Sequence, residues 1–201
     1  MTKFSLPGIP GELEWKNTPL DWQVEHGNNL TIVAGEHTDW FIDPAGNYVK
    51  DNAPGALFAP PDASFLLSAR VTVDFASTFD AGVLQLRGRD DLWAKLCFEY
   101  SPQGQPMIVS VVTRGVSDDC NSVPIEGQEI YLRIARSIPT IAFHYSRDGR
   151  YWHLVRYFTL GKLDNLRVGF SSQSPTGQKC RAVFSEISYR PGMLKDNRNG
   201  E

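Results

Sequence analysis

In the stretch "LWAKLCFEY", residues 92–100, Leu92, Ala94, Leu96, Phe98 and Tyr100 fall on one parity and Trp93, Lys95, Cys97 and Glu99 on the other. A β-strand sends successive side chains to opposite faces, so the first set predicts a core-facing row. The second predicts an outward row that mixes an indole, an ammonium and a carboxylate. Similar short runs fill the chain: "LTIVA" (30–34), "DWFID" (39–43), "FLLSARVTVDF" (65–75), "GVLQLRG" (82–88), "MIVSVVT" (107–113), "IYLRIAR" (130–136), "TIAFHY" (140–145), "YWHLVRY" (151–157), "LRVGFSS" (166–172) and "RAVFSEISY" (181–189). Each is rich in β-branched and aromatic residues and bounded by Gly, Pro, Asn, Asp or Ser, which predicts about eleven strands. Sustained 3.6-residue apolar spacing is missing, so at most one short helical turn is expected, near "LGKLDN". The predicted class is all-β.

Between the second and third runs lies the Gly- and Pro-rich stretch 43–63, read as one long loop of the kind that serves as a lid or binding loop. It does not divide the chain: we expect a single domain over 1–201, with its core at about 12–190 and a polar, frayed tail at 191–201. Leu84 and Leu86 claim the core in "VLQLR", leaving Gln85 and Arg87 on the outward parity. Only a short connection separates this run from "LWAKLCFEY", so the two should pair antiparallel. In "HYSRDGRYWHLV", Asp148-Gly149 predicts a two-residue type I′ hairpin turn, which would set His144 opposite His153 and Phe143 opposite Leu154. Two adjacent imidazoles could hold a metal, but a solvent-facing pair is the favoured reading and no metal is expected.

Composition narrows the function classes. The 201 residues can bury roughly 70% of their unfolded surface, enough for a full core. With 41% hydrophobic and 21% charged residues and no apolar run near membrane-spanning length, no membrane association is expected. A net charge of -3 with scattered basic residues argues against a nucleic-acid partner. The N-terminal residues lack a signal-peptide apolar region, which predicts a cytoplasmic protein. Cys97, Cys120 and Cys180, odd in number and without a C-x-x-C pair, are expected to be reduced thiols.

The succession "TDWF" (38–41), "WAKLCFEY" (93–100), "SVVTRGVSDD" (110–119), "YLRIAR" (131–136) and "YSRDGRYW" (145–152) resembles the regulation-of-enolase-protein-like family of unknown function, over about residues 30–190. That family's fold belongs to the concanavalin A-like lectin and glucanase group. The resemblance implies a jelly-roll β-sandwich of two antiparallel sheets, one of them concave, and an association with carbohydrate metabolism. It also places Thr113, Ser117 and Asp118 near the concave face.

The outward parity then becomes a candidate sugar-binding surface. Trp93, and Trp40 with it, would stack on a sugar ring, while Gln85, Arg87, Lys95, Glu99 and Arg133 reach the hydroxyls. Surface ion pairs would explain the same charged residues without a ligand, but an indole on an exposed sheet face calls for a covering loop or a ligand. The E-x-D-x-x-E string of glucanases on this fold does not occur, nor do G-x-S-x-G, H-E-x-x-H or a phosphate-binding glycine loop. Ser117, Asp118, Asp119 and Asn121 could gather around calcium, although a turn explains the same residues more simply. The leading expectation is a binding protein for a sugar or sugar-derived small molecule, without a cofactor. The alternatives are a sugar isomerase or lyase-like enzyme using Glu99 with Lys95 or His144, and a scaffold for a protein partner in carbohydrate metabolism.

Overall fold

A computed structural model describes residues 2–25 and 28–201. In chain order its strands are β1 (Lys3–Phe4), β2 (Leu13–Lys16), β3 (Asp21–Glu25), β4 (Asn29–Gly35), β5 (Trp40–Ile42) and β6 (Val49–Asp51). There follow β7 (Gly55–Phe58), β8 (Phe65–Asp74), β9 (Ala81–Arg89), β10 (Leu92–Tyr100), β11 (Pro106–Arg114) and β12 (Val116–Pro124). The last are β13 (Glu129–Ser137), β14 (Thr140–Ser146), β15 (His153–Phe158), β16 (Arg167–Gln173) and β17 (Lys179–Pro191). No helix occurs among the described residues, so none there is long and apolar enough to cross a membrane.

Two antiparallel sheets form a sandwich. The first has eight strands in the order β1-β2-β7-β16-β9-β10-β11-β12, the second seven in the order β15-β14-β13-β8-β17-β4-β3, and β5 and β6 make a separate hairpin. The alternation of β10 sets the geometry: Leu92, Ala94, Leu96 and Phe98 enter the core between the sheets. They meet Leu84 and Leu86 of β9, Ile108 and Val112 of β11 and Phe170 of β16. The second sheet answers with Leu67, Val71 and Val73 of β8, Leu132 and Ile134 of β13 and Phe184 of β17. The antiparallel pairing of β9 with β10 puts Gln85 beside Lys95 and Arg87 beside Trp93.

Four expectations need correction. The stretch 43–63 is not one loop, because it contains β6 and β7, and β7 pairs with both β2 and β16 inside the first sheet. "VSDDCNSVP" is neither a turn nor a calcium cluster but the edge strand β12, paired with β11. Strand alternation sends Asp118 to the opposite side from Ser117, Asp119 and Asn121, and Ser117 is bonded to Thr113 and Ile42, so the four side chains do not gather around one point. The β14–β15 hairpin is not joined by two residues. Asp148 accepts backbone hydrogen bonds from Arg150 and Tyr151, both at 2.8 Å, and Ser146 accepts one from Gly149, which stabilises a longer loop. His144 therefore lies opposite Leu154, and Tyr145 opposite His153, on which it stacks. The imidazoles are not a pair. Finally, segment 191–201 packs on the second sheet: Arg133 donates to Gly200 O at 2.9 Å, and His144 Nε2 lies 2.8 Å from Asn197 O.

Candidate functional site

The side of β10 that faces away from the core is covered rather than open. The β5–β6 hairpin lies over it, and Trp40, Ala53, Val111 and Trp93 form a small buried cluster beneath. Trp40 and Trp93 are each only 1% exposed, so neither ring is available to stack on a ligand. This corrects their expected role: the covering segment that an outward indole requires is supplied by the hairpin itself. Trp93 Nε1 donates to Asp90 O at 3.2 Å, and the Arg87 guanidinium sits 4.1 Å above the Trp40 ring while pairing with Asp90.

The hairpin is held down by specific contacts. Thr113 and Ser117, both buried, hydrogen-bond each other at 2.9 Å, and Ser117 Oγ accepts the backbone N–H of Ile42. Their place is thus structural, fixing β5 against β11 and β12. Asp118 points away and pairs with Arg156 at 2.8 Å. At the base of the hairpin Asp39 takes a backbone hydrogen bond from Asn52 and Asn52 Oδ1 takes one from Asp39 N. Gln85, wholly buried, packs against Gly55, where an added Cβ would stand 2.5 Å from Nε2, and neither of its amide atoms has a partner among the described residues.

Beside the hairpin opens a pocket of about 330 Å³. Its floor is Lys95 and Glu99 from β10, its walls Asp39, Gln173 and Asp119, and its aromatic lining Phe41, Tyr48 and Phe79. Lys95 Nζ donates to Asp39 Oδ1 at 2.8 Å and to Gln173 Oε1 at 2.9 Å. The other end of the Gln173 amide donates to Glu99 Oε2 at 3.5 Å and to Phe79 O at 3.2 Å. One amide therefore orients both ionisable floor groups. Burial pushes the Glu99 carboxyl up to about 8, against the opposing pull of Lys95, so at neutral pH it holds a proton and can donate it. Burial would lower Lys95, but the Asp39 carboxylate 2.8 Å away outweighs it and keeps the ammonium charged. Asp119 is also raised, first by desolvation. The floor thus presents an ammonium, a neutral carboxylic acid and an amide, a mixed donor and acceptor set suited to hydroxyls.

Of the residues singled out in the sequence, Lys95 and Glu99 line this pocket, while Trp40, Gln85, Arg87, Trp93, Thr113 and Ser117 lie beneath or beside the hairpin. Arg133 and His144 are elsewhere altogether. Both are buried on the outer face of the second sheet, across the core from Glu99, which removes His144 as its acid–base partner. The pocket residues that sequence reasoning missed are Asp39, Phe41, Tyr48, Phe79 and Gln173. Asp39 and Gln173 reach Lys95 across 56 and 78 positions of chain, and no local pattern marks such contacts. Cys97, Cys120 and Cys180 are all free thiols.

Two antiparallel sheets packed face to face make this a jelly-roll β-sandwich. Residues 15–192 match the family described as "Protein of unknown function (DUF1349)", and the chain belongs to that family. A functionally unknown protein from Saccharomyces cerevisiae superposes with a TM-score of 0.80 at 25% identity, covering 90% of this chain and 97% of that one. The GH43 BlXynB protein from Bacillus licheniformis gives a TM-score of 0.69 at 16% identity, covering 87% of this chain and 36% of that one. The alginate lyase from Klebsiella pneumoniae gives 0.57 at 12% identity, with coverage of 85% and 84%. These last two likenesses concern the fold alone. No curated protein matches the chain.

Proposed function

We propose that the chain binds a sugar or sugar-derived small molecule in the pocket beside the β5–β6 hairpin. The observation that carries this reading is the combination of a polar floor, ordered by the Gln173 amide, with exposed aromatic rings at the mouth. Tyr48 is 50% exposed and stacks with Phe41 at 6.0 Å, and Phe79 is 38% exposed. Such rings can cover the apolar face of a pyranose or furanose while Lys95, Glu99 and Asp119 address its hydroxyls. The stacking role thereby passes from Trp40 and Trp93 to Tyr48, Phe41 and Phe79. Carbohydrate-active proteins among the structural neighbours support the choice of ligand class. A place in cytoplasmic carbohydrate metabolism belongs to the same proposal.

Calorimetric screening of the native chain against neutral monosaccharides, uronic acids and oligosaccharides tests it. Tyr48→Ala should weaken any ligand found by about 2- to 12-fold, the range that one aromatic contact supports. If no carbohydrate binds, or if Tyr48→Ala and Glu99→Gln both leave the affinity unchanged, the reading fails. One observation favours a second reading, that of an isomerase or lyase-like enzyme. A buried carboxyl raised to about 8 is matched to proton transfer near neutrality. In that case Glu99 is the proton donor, and Lys95, held charged by Asp39, stabilises developing negative charge instead of acting as a base. Glu99→Gln would then abolish turnover with binding retained.

A further inference from the structure

On the opposite outer face of the sandwich, where segment 191–201 crosses β13, lies a groove of about 690 Å³. Four cationic side chains line it, Arg133, Arg150, Arg190 and Lys195, and Glu201 is the one acidic side chain among the lining residues. This is a local excess of positive charge on a chain whose net charge is -3. None of the four cations forms an ion pair among the described residues. Arg133 is the informative one. It is only 3% exposed, its guanidinium lies 4.2 Å above the Trp152 ring, and it donates to Gly200 O at 2.9 Å, yet its Nε has no partner. A buried guanidinium ordinarily faces a carboxylate, because an uncompensated buried charge is costly. Here burial and then the neighbouring Arg190 push it down to about 10, so it remains charged at neutral pH with no carboxylate to offset either effect.

We infer that this groove is a second ligand site, one that binds the phosphate group of a small phosphomonoester. Several separate cations lining one groove from different elements suit a tetrahedral dianion, whose oxygens can each take a donor. A monocarboxylate brings one charge and two oxygens in one plane, and leaves most of this charge unanswered. The groove is larger than a phosphate group needs, and Leu66, Pro191, Met193 and Leu194 give it an apolar wall for the organic part. Gly200 seals one end, since a Cβ there would stand 2.8 Å from Arg133 Nη2 and from Trp152 Cβ. The site is separated by the core from the pocket at Lys95 and stands independently of the sugar-binding reading.

Isothermal titration with phenyl phosphate, and with benzoate as the carboxylate counterpart, tests the assignment. Phenyl phosphate should bind the native chain at least about 10-fold more tightly than benzoate. Arg190→Gln, at an exposed position, should weaken phenyl phosphate by about 10-fold, in line with the loss of one charge-assisted contact. Arg133→Ala should abolish binding. Because that variant could also unsettle the fold, Arg150→Gln and Lys195→Gln provide two further exposed tests, each expected to weaken binding severalfold. Equal affinity for benzoate, phenyl phosphate binding unchanged in Arg190→Gln, or capture of phosphoinositide vesicles without binding of phenyl phosphate would each overturn the proposal.

Discussion

On the outer face of the first sheet Lys95 lies 2.8 Å from Asp39 and is capped by Gln173, so its charge is answered from within the protein. On the outer face of the second sheet Arg133 is just as deeply buried but meets only a backbone carbonyl and an aromatic ring. Both faces are roofed by a separate segment, the β5–β6 hairpin on one and residues 191–201 on the other. The difference lies in residual charge. A compensated cation among neutral donors discriminates by hydrogen-bond geometry, whereas an uncompensated one keeps a field that attracts anions.

The comparison can be broken most sharply at the roofs. Trp93→Ala should cost about 3–5 kcal/mol in urea unfolding, because the indole is the buried anchor under the hairpin and not a surface platform. Leu194, half-buried under its own roof, should cost less when cut to Ala. Equal losses would mean that the two coverings are energetically alike. Next come the cations. Asp39→Asn strands the buried Lys95 ammonium and should lower stability by about 3 kcal/mol. Arg133→Gln strands no carboxylate and should lower it by only about 1 kcal/mol, so a reversed order would refute the contrast in compensation.

The two faces should also respond to pH in opposite directions. Glu99 holds its proton in the fold up to about 8 and, once unfolded, loses it near 4.5. Its contribution is therefore complete below that lower value and declines as pH rises toward 8. His144 is lowered from 6.5 to about 4, first by burial and then by Arg133, so its contribution is complete above 6.5 and declines as pH falls toward 4. Melting temperatures measured against pH should lose the alkaline decline in Glu99→Gln and the acidic one in His144→Gln. The smallest expected effect is at the β14–β15 loop. Gly149 has φ +72° and a Cβ there would sit 3.0 Å from Tyr131, so Gly149→Val should cost about 1 kcal/mol or more in the urea midpoint.

Several features were legible in the residues themselves. The parity of "LWAKLCFEY" identified its core row, and Leu84 and Leu86 did the same for the neighbouring strand, because burial of apolar side chains at period two is a local property of sequence. The antiparallel pairing of these strands followed from their short connection. The β14–β15 register was misread because Ser146 and Asp148 bind the loop backbone through their side chains, and the Asp-Gly signal does not reveal how many residues such bonding will enclose. Strand β12 was missed because its run of Ser, Asp and Asn is an edge strand, exposed along most of its length, with little apolar periodicity to announce it.

By itself the sequence determined an all-β chain, the partition of its strands into inward and outward rows, and Lys95 and Glu99 as outward charged groups. Only the tertiary structure decided that Trp40 and Trp93 would be roofed over, that Asp39 and Gln173 would converge on Lys95, and that Arg133 would belong to the opposite face. The physical reason is that strand periodicity fixes which way a side chain points but not which sheet the strand joins or what covers it. Those depend on contacts between residues far apart in the chain, where the hydrophobic gain from covering Trp93 and the Coulombic gain from pairing Lys95 with Asp39 are realised together.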